Sequence, residues 1–161
     1  MSKPMVEIHL VGIPVAMHQA ATEHAAEVMR EFGHLAEVAD EAHVPSRLVA
    51  LDRDMQARFS HFTEDTSSKL DDAIARGATE VDLVYTIPSD AGDAAVELGD
   101  MWREVDRYCE DGRYLLALRT PPVVRAYRDW FLGEFSRQAR GGAPVSWGAW
   151  ISQQPVEQLD R

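Results

Sequence analysis

The amino-acid sequence predicts an α/β (or α+β) protein in which helices cover a small central sheet of about four strands. Two segments alternate apolar and polar residues and end in Ile-Pro, at positions 13–14 and 87–88, as strands do when they enter a turn. After each comes a long run of helix-forming residues with apolar side chains three and four positions apart. We therefore expect a single domain, residues 1–161, built from two repeated strand-helix-strand-helix units.

The first unit is predicted to cover about residues 6–77 and to begin with a strand over residues 6–11, where apolar and polar side chains alternate. A helix over residues 15–32 follows, and Gly33 is interpreted as its C-terminal stop. Residues 34–38 show a weak apolar pattern, which we interpret as a short second strand.

Two more helices are expected in the rest of the first unit. Pro45 stands at the first turn of one helix, which runs to Phe59 with its apolar residues on one face. Ser68 opens the other helix, because Ser-x-x-Asp matches a capping box, and Gly77 ends it.

The second unit, about residues 79–138, is predicted to repeat this order. Residues 79–87 alternate as a strand does, and residues 89–109 carry the apolar stripe of an amphipathic helix. A further strand over 114–118 and an amphipathic helix over 121–138 complete the unit. Since each crossover is expected to be helical, the strands of a unit should run parallel.

Sequence similarity between the halves supports a duplication. The segment that starts at Pro45 matches the segment that starts at Pro121 without gaps, at an offset of 121 − 45 = 76 residues. Chance similarity between two amphipathic helices is the alternative. Residues 61–77 and the tail, residues 139–161, have no counterpart and break the predicted symmetry.

The composition argues against several classes of function. The chain has 27 acidic and 16 Lys and Arg residues, and its net charge of −11 repels nucleic acid and anionic lipid. Cys109 is the only cysteine, so no intrachain disulfide can form. The N-terminus lacks the features of a secretory signal, and no apolar run reaches the roughly 20 residues of a membrane span. We expect a cytoplasmic protein.

The sequence contains no recognisable catalytic, cofactor-binding or metal-binding motif. Carboxylates at positions 23, 27 and 31 share a helix with His18 and His24, but their spacing does not match known metal motifs, so we interpret them as a solvated face. Glu110 and Asp111 follow Cys109, and these acids disfavour its thiolate. No catalytic residue, metal or cofactor is therefore predicted.

Aromatic residues give the candidate binding sites. A cleft between the two halves could hold an apolar or cationic ligand against aromatic side chains. The residues predicted to line it are Tyr85, Trp102, Tyr127 and Trp130. Trp147 and Trp150 lie in the tail, where they must either pack back onto the domain or dock a partner protein or second subunit.

Several segments resemble small actinobacterial α/β proteins that accompany anti-sigma-factor kinases and related stress-response regulators. The similarity is carried by residues 11–14, 44–48, 81–83, 116–122 and 125–138. These motifs are structural and match no catalytic residue. The resemblance implies a regulatory setting, with a stress-regulator kinase or phosphatase as the protein partner.

Three functions remain open at the level of sequence. The absence of catalytic motifs and the resemblance favour a non-enzymatic regulatory or protein-interaction module of a cytoplasmic signalling pathway, which could also form a homodimer. The first alternative is a small-molecule sensor with its ligand between the two halves. The second alternative is an enzyme whose His and carboxylate groups are brought together only by the fold.

Overall fold

The computed structural model describes residues 3–38, 43–111 and 118–155. In chain order its elements are β1 (Met5–Pro14), α1 (Val15–Val38), α2 (Val44–Ala75), β2 (Glu80–Pro88), α3 (Ala91–Asp111), α4 (Pro122–Ala139) and α5 (Trp147–Ser152). The described chain is mostly helical, and β1 and β2 form a two-stranded antiparallel sheet. The predicted α/β fold with a central sheet of four strands is therefore wrong.

The number of helices between the strands explains their antiparallel direction. A single crossover helix returns the chain to the start of the sheet, so the next strand runs parallel to the first. Here two helices, α1 and α2, separate β1 from β2. The second helix reverses the chain once more, so β2 enters the sheet from the opposite end.

The predicted strand over residues 34–38 is wrong because these residues continue α1. Buried Val28 and Phe32 and partly buried Leu35 follow the three-and-four spacing of one helical face. The ring of Phe32 meets that of Tyr108 edge to face, with centroids 5.6 Å apart. This packing extends the helix beyond Gly33, which was expected to end it.

The predicted break after Phe59 and the capping box at Ser68 are also wrong, since α2 is continuous. The hydroxyl groups of Thr63 and Thr66 are satisfied within the helix. Thr63 donates to the carbonyl of Ser60 at 3.0 Å, and Thr66 donates to that of Thr63 at 2.9 Å. The helix ends where predicted, because Gly77 adopts a φ of 71°, in the left-handed region.

The strands predicted over residues 6–11 and 79–87 are confirmed by β1 and β2, although β1 continues to Pro14. The register shifts between Leu10 and Ile13, which accommodates a bulge. Gly12 has a φ of 71° there, and its N–H donates to Asp82 Oδ1 at 2.7 Å. Glycine suits this position because other residues rarely adopt that φ.

The buried apolar side chains form two clusters. One lies beneath the sheet, where Ile8 and Leu10 of β1 and Leu83 of β2 pack with Trp130 and Phe135 of α4. The other joins α1, α2 and α3, and its buried members are Val28, Phe32, Leu48, Met101, Trp102, Val105, Cys109 and Leu118. The helices α1, α2 and α3 contribute side chains to both clusters.

A buried polar network fastens the end of α4 to β1. The N–H of His9 donates to Gln138 Oε1 and Gln138 Nε2 donates to the His9 carbonyl, both at 2.8 Å. Glu134, which is 2% exposed, accepts from Gln138 Nε2 at 2.7 Å and from the N–H of Val145 at 3.0 Å. Arg137 pairs with the same carboxylate. The network therefore joins helix, strand and tail.

The order strand-helix-helix occurs twice among the described elements, as β1-α1-α2 and β2-α3-α4. This differs from the predicted strand-helix-strand-helix unit. Residues 112–117, which include most of the strand predicted at 114–118, lie outside the described residues, and Leu118 is not in a strand. The origin of the two halves by duplication stays a prediction.

Candidate functional site

A cleft of about 250 Å³ lies between α1 and the α3–α4 pair. Apolar side chains make up most of its wall, with two histidines, a tyrosine and an arginine among them. The lining residues are His18, Ala21, Thr22, His24, Ala25, Leu98, Trp102, Val124, Tyr127, Arg128, Phe131 and Leu132. A small apolar cavity with a few convergent polar groups is the usual form of a ligand-binding site. We call it the α1 cleft.

The small residues of α1 create this space. Ala21 and Ala25 lie one helical turn apart on the same face as His18, so their short side chains leave room opposite the larger residues of α3 and α4. Trp102 of α3 and Tyr127 of α4 stand across the cleft. The size difference between facing side chains therefore accounts for the cavity.

His18 and Tyr127 form the central polar pair of the α1 cleft. Nδ1 of His18 lies 2.6 Å from the Tyr127 hydroxyl oxygen, and the two rings meet edge to face. Burial lowers the pKa of His18, and burial strongly raises that of Tyr127, so both groups favour their neutral forms. When the hydroxyl donates to Nδ1, Nε2 carries the imidazole proton and is a hydrogen-bond donor.

His24 supplies a second polar group at the cleft. Its Nε2 lies 2.8 Å from the carbonyl oxygen of Leu118. Because a carbonyl only accepts, Nε2 carries a proton here, and in the tautomer with its proton on Nε2 the other ring nitrogen, Nδ1, is an acceptor. The cleft therefore combines donor and acceptor capacity on α1, two turns apart.

Arg128 is the permanently charged residue in the described lining of the α1 cleft, and its guanidinium is paired with a carboxylate of the protein. Its Nη2 donates to Asp106 Oδ2 at 2.6 Å, and Asp106 also accepts from the Thr120 hydroxyl at 2.6 Å. The guanidinium lies over the Trp102 ring, 5.6 Å from its centroid. This aromatic face thus already has a cation beside it.

Two of the four aromatic residues predicted to bind a ligand line the α1 cleft, namely Trp102 and Tyr127. Tyr85 lies instead beneath the sheet, with its ring 5.1 Å from that of Phe135 between centroids. Trp130 is 1% exposed and donates from Nε1 to the carbonyl of Val145 at 2.9 Å. Tyr85 and Trp130 therefore belong to the apolar cluster beneath the sheet, and neither lines the α1 cleft.

The tail tryptophans pack against the domain. Trp147 begins α5, which Ser146 caps by accepting from the N–H of Ala149 at 3.1 Å. The Trp147 ring lies 5.6 Å from Tyr127 and 5.8 Å from Trp130, and Trp150 stacks on its other side at 5.8 Å between centroids. Both rings stay partly exposed, so docking of a partner there remains a prediction.

The described residues do not form another obvious reactive centre. Within residues 3–38, 43–111 and 118–155, no group of three or more His, Cys, Asp or Glu side chains is placed to hold a metal ion. Cys109 is fully buried, and burial, together with nearby Asp106 and Glu110, raises its pKa to about 11. Its thiol is a poor nucleophile for that reason.

Sequence reasoning missed the polar part of the α1 cleft. His18 and His24 were assigned to a solvated helix face, whereas both are partly buried and hydrogen-bonded to other elements. A usable signal was present for His18, which shares its helical face with Ala21 and Ala25. The position of Arg128 depends on Asp106 in another helix, which no local pattern reveals.

Comparisons of the chain with protein-family models, with curated proteins and with solved structures found no match. In the part of the chain that the structure describes, none of the helices has both the length and the apolar character required to cross a membrane.

Proposed function

We propose that this protein is a small-molecule sensor that binds an uncharged, mostly apolar ligand in the α1 cleft. The observation that carries the proposal is the neutral His18–Tyr127 pair, with 2.6 Å between its polar atoms, inside a cavity otherwise walled largely by apolar side chains. Apolar surface supplies affinity in such a site, and a few polar groups orient the ligand. The volume of about 250 Å³ suits a molecule smaller than a typical drug.

The electrostatics of the cleft favour binding over acid–base catalysis. A general base works best with a pKa near the operating pH, and the pKa of His18 is lowered while that of Tyr127 is raised well above its usual value. The shifts move both groups away from proton exchange at neutral pH. Because Asp106 pairs with Arg128, the described lining residues also offer no unpaired cation to an anionic ligand.

Filling the cleft should weaken this binding. Ala25 lines the α1 cleft and Ala26 beside it is exposed, so Ala25→Phe and Ala26→Phe add the same ring to the two faces of one helix. We expect wild type and Ala26→Phe to bind phenol, indole or 1-hexanol, and Ala25→Phe to bind at least about tenfold more weakly. Ligand-observed NMR titration measures the dissociation constants.

A second variant that blocks the cleft is included in case Ala25→Phe does not fold. Thr22 is exposed at the edge of the cleft, so Thr22→Phe should narrow the entrance without entering the core. Circular dichroism establishes that each variant is folded before titration. Equal binding by folded Ala25→Phe, Thr22→Phe and Ala26→Phe, or no binding of any probe to wild type, would contradict the proposal.

A second candidate function is the regulatory protein-interaction module suggested by the sequence resemblance. It is supported by an open groove of about 720 Å³ between α2 and α3, whose carboxylates are Asp54, Glu97, Asp100 and Glu104. Arg47 also lines this groove but is paired with Glu104 at 2.6 Å. A basic segment of a stress-regulator kinase or phosphatase fits this charge.

Charge reversal tests this second candidate. Pull-down at micromolar concentration should recover such a kinase or phosphatase with the wild-type chain, and the double variant Glu97→Lys, Asp100→Lys should lose it. The control is Glu23→Lys, Glu27→Lys, which makes the same change of charge on the exposed side of α1. Recovery that is absent with wild type, or equal with both double variants, would reject the groove as a docking site.

A further inference from the structure

A second cavity lies on the far side of the side chains that close the α1 cleft. It has a volume of about 350 Å³ and runs between α2 and the α3–α4 pair. Its wall includes the apolar residues Met55 and Phe59 of α2 and Ile87 of β2. We call it the α2 cavity.

The two cavities share part of their walls. Leu98 of α3 and Phe131 and Leu132 of α4 line both the α1 cleft and the α2 cavity. The same three residues therefore form part of the wall of both spaces. All three are only partly buried; because Phe131 packs against the rings of Tyr127 and Phe135, the rotamer changes that could open this shared wall are those of Leu98 and Leu132.

We propose that the two cavities form one site for a single-chain amphiphile. Its polar end lies beside His18 in the α1 cleft, and its alkyl chain passes Leu98 and enters the α2 cavity. This inference rests on the proposed function and extends it, because it names the class of ligand. An unbranched chain fits best, since it is narrow enough to follow a path that moves only rotamers of the shared wall.

The charges of the α1 cleft select an uncharged polar end. Arg128 is the one permanently charged residue among the described lining residues, and it is already paired with Asp106, which also pairs with Arg125. A carboxylate would have to lose water without gaining a free cation, which is unfavourable. A hydroxyl or amide can instead use the donor and acceptor nitrogens of His18 and His24. We therefore assign the ligand to the class of fatty alcohols and neutral fatty acyl amides.

Chain-length dependence distinguishes this inference from the simpler proposal. Isothermal titration calorimetry with 1-hexanol, 1-octanol, 1-decanol and 1-dodecanol should show affinity rising about fourfold for each added methylene, as expected for a chain that is buried throughout. The sodium salts of the fatty acids of equal length should bind at least about tenfold more weakly at pH 7.5. Equal or tighter binding of the acids would overturn the assignment of an uncharged end.

A variant that blocks only the α2 cavity distinguishes a joined site from a site confined to the α1 cleft. Ser60 lines this cavity but not the α1 cleft, and its side chain is exposed, so Ser60→Trp should fill the cavity without disturbing the core. In this variant 1-hexanol should keep its wild-type affinity, and 1-dodecanol should bind no more tightly than 1-octanol. Ser67→Trp, on the same helix and exposed away from both cavities, should retain the full wild-type series.

The possible results separate the two proposals. If wild-type affinity stops rising at short chains while 1-hexanol still binds, the joined site is overturned and the α1 cleft alone remains the ligand site. If Ser60→Trp and Ser67→Trp give the same rising series, the joined site is likewise overturned. If no alcohol of any length binds, the proposed function fails together with its extension.

Discussion

Replacing Asp106 by alanine is expected to lower the free energy of unfolding by about 3–5 kcal/mol, the usual cost of removing one partner of a buried ion pair. Asp106 is 5% exposed and accepts from Arg128 and Thr120. Its loss leaves the largely buried guanidinium of Arg128 without the carboxylate that it donates to, and it leaves the Thr120 hydroxyl without its acceptor. Urea unfolding followed by circular dichroism measures the change.

Asp100→Ala is the matched control for this experiment. Asp100 lies on the same helix, and its pair with Arg103 at 2.8 Å is solvent-exposed, so its removal should change stability by less than about 0.5 kcal/mol. Similar losses for Asp100→Ala and Asp106→Ala would show that Asp106 has no special role. The comparison also tests whether the positive charge in the α1 cleft is neutralised within the protein.

Replacing Trp130 by alanine should be comparably costly, at about 3–5 kcal/mol, because it opens a large cavity beneath the sheet. The ring is 1% exposed and lies against Tyr127 and Trp147. Trp130→Phe keeps most of the apolar packing but loses the hydrogen bond to the Val145 carbonyl, so it should be less destabilising. Chemical unfolding of the three proteins under identical conditions gives the differences.

The control for the stability loss of the Trp130 variants is the substitution of an exposed valine on the same helix. Val123 is 37% exposed, and Val123→Ala should stay within about 0.5 kcal/mol of wild type. The experiment also assigns a role to Trp130, which the sequence suggested as a ligand-binding residue. If Trp130→Phe weakened phenol binding as much as Ala25→Phe does, the ring would belong to the ligand site and our placement of that site would be wrong.

Local patterns in the sequence located β1, β2 and the approximate starts of α1, α2, α3 and α4, but not the connectivity of the sheet. Alternation around Leu83 and Tyr85 marks β2 correctly, and Gly77 ends α2 as expected. The failure lies in the polar stretch of α2, where Thr63 and Thr66 resemble a loop in composition. Their hydroxyls bond to carbonyls within the helix, so the backbone stays helical and α2 continues without the predicted break.

The candidate site was predictable only where it consists of large aromatic residues. Trp102 and Tyr127 stand out in any sequence, and both line the α1 cleft. The roles of His18 and Arg128 depend on partners 109 and 22 positions away, Tyr127 and Asp106. Sequence spacing cannot reveal such contacts, because they exist only once the helices have packed. The cleft itself comes from small residues, which are easily read as ordinary helix formers.

The pairing of Gln138 with His9 bears on how the protein avoids self-association into fibrils. A strand at the border of a sheet exposes N–H and carbonyl groups that invite another chain to add on. At His9 both groups are already engaged by the amide of Gln138, which takes the place of a neighbouring strand. The Gln138 side chain therefore blocks the addition of another strand at the middle of this edge of β1. Glu134 orients the Gln138 amide by accepting a hydrogen bond from it.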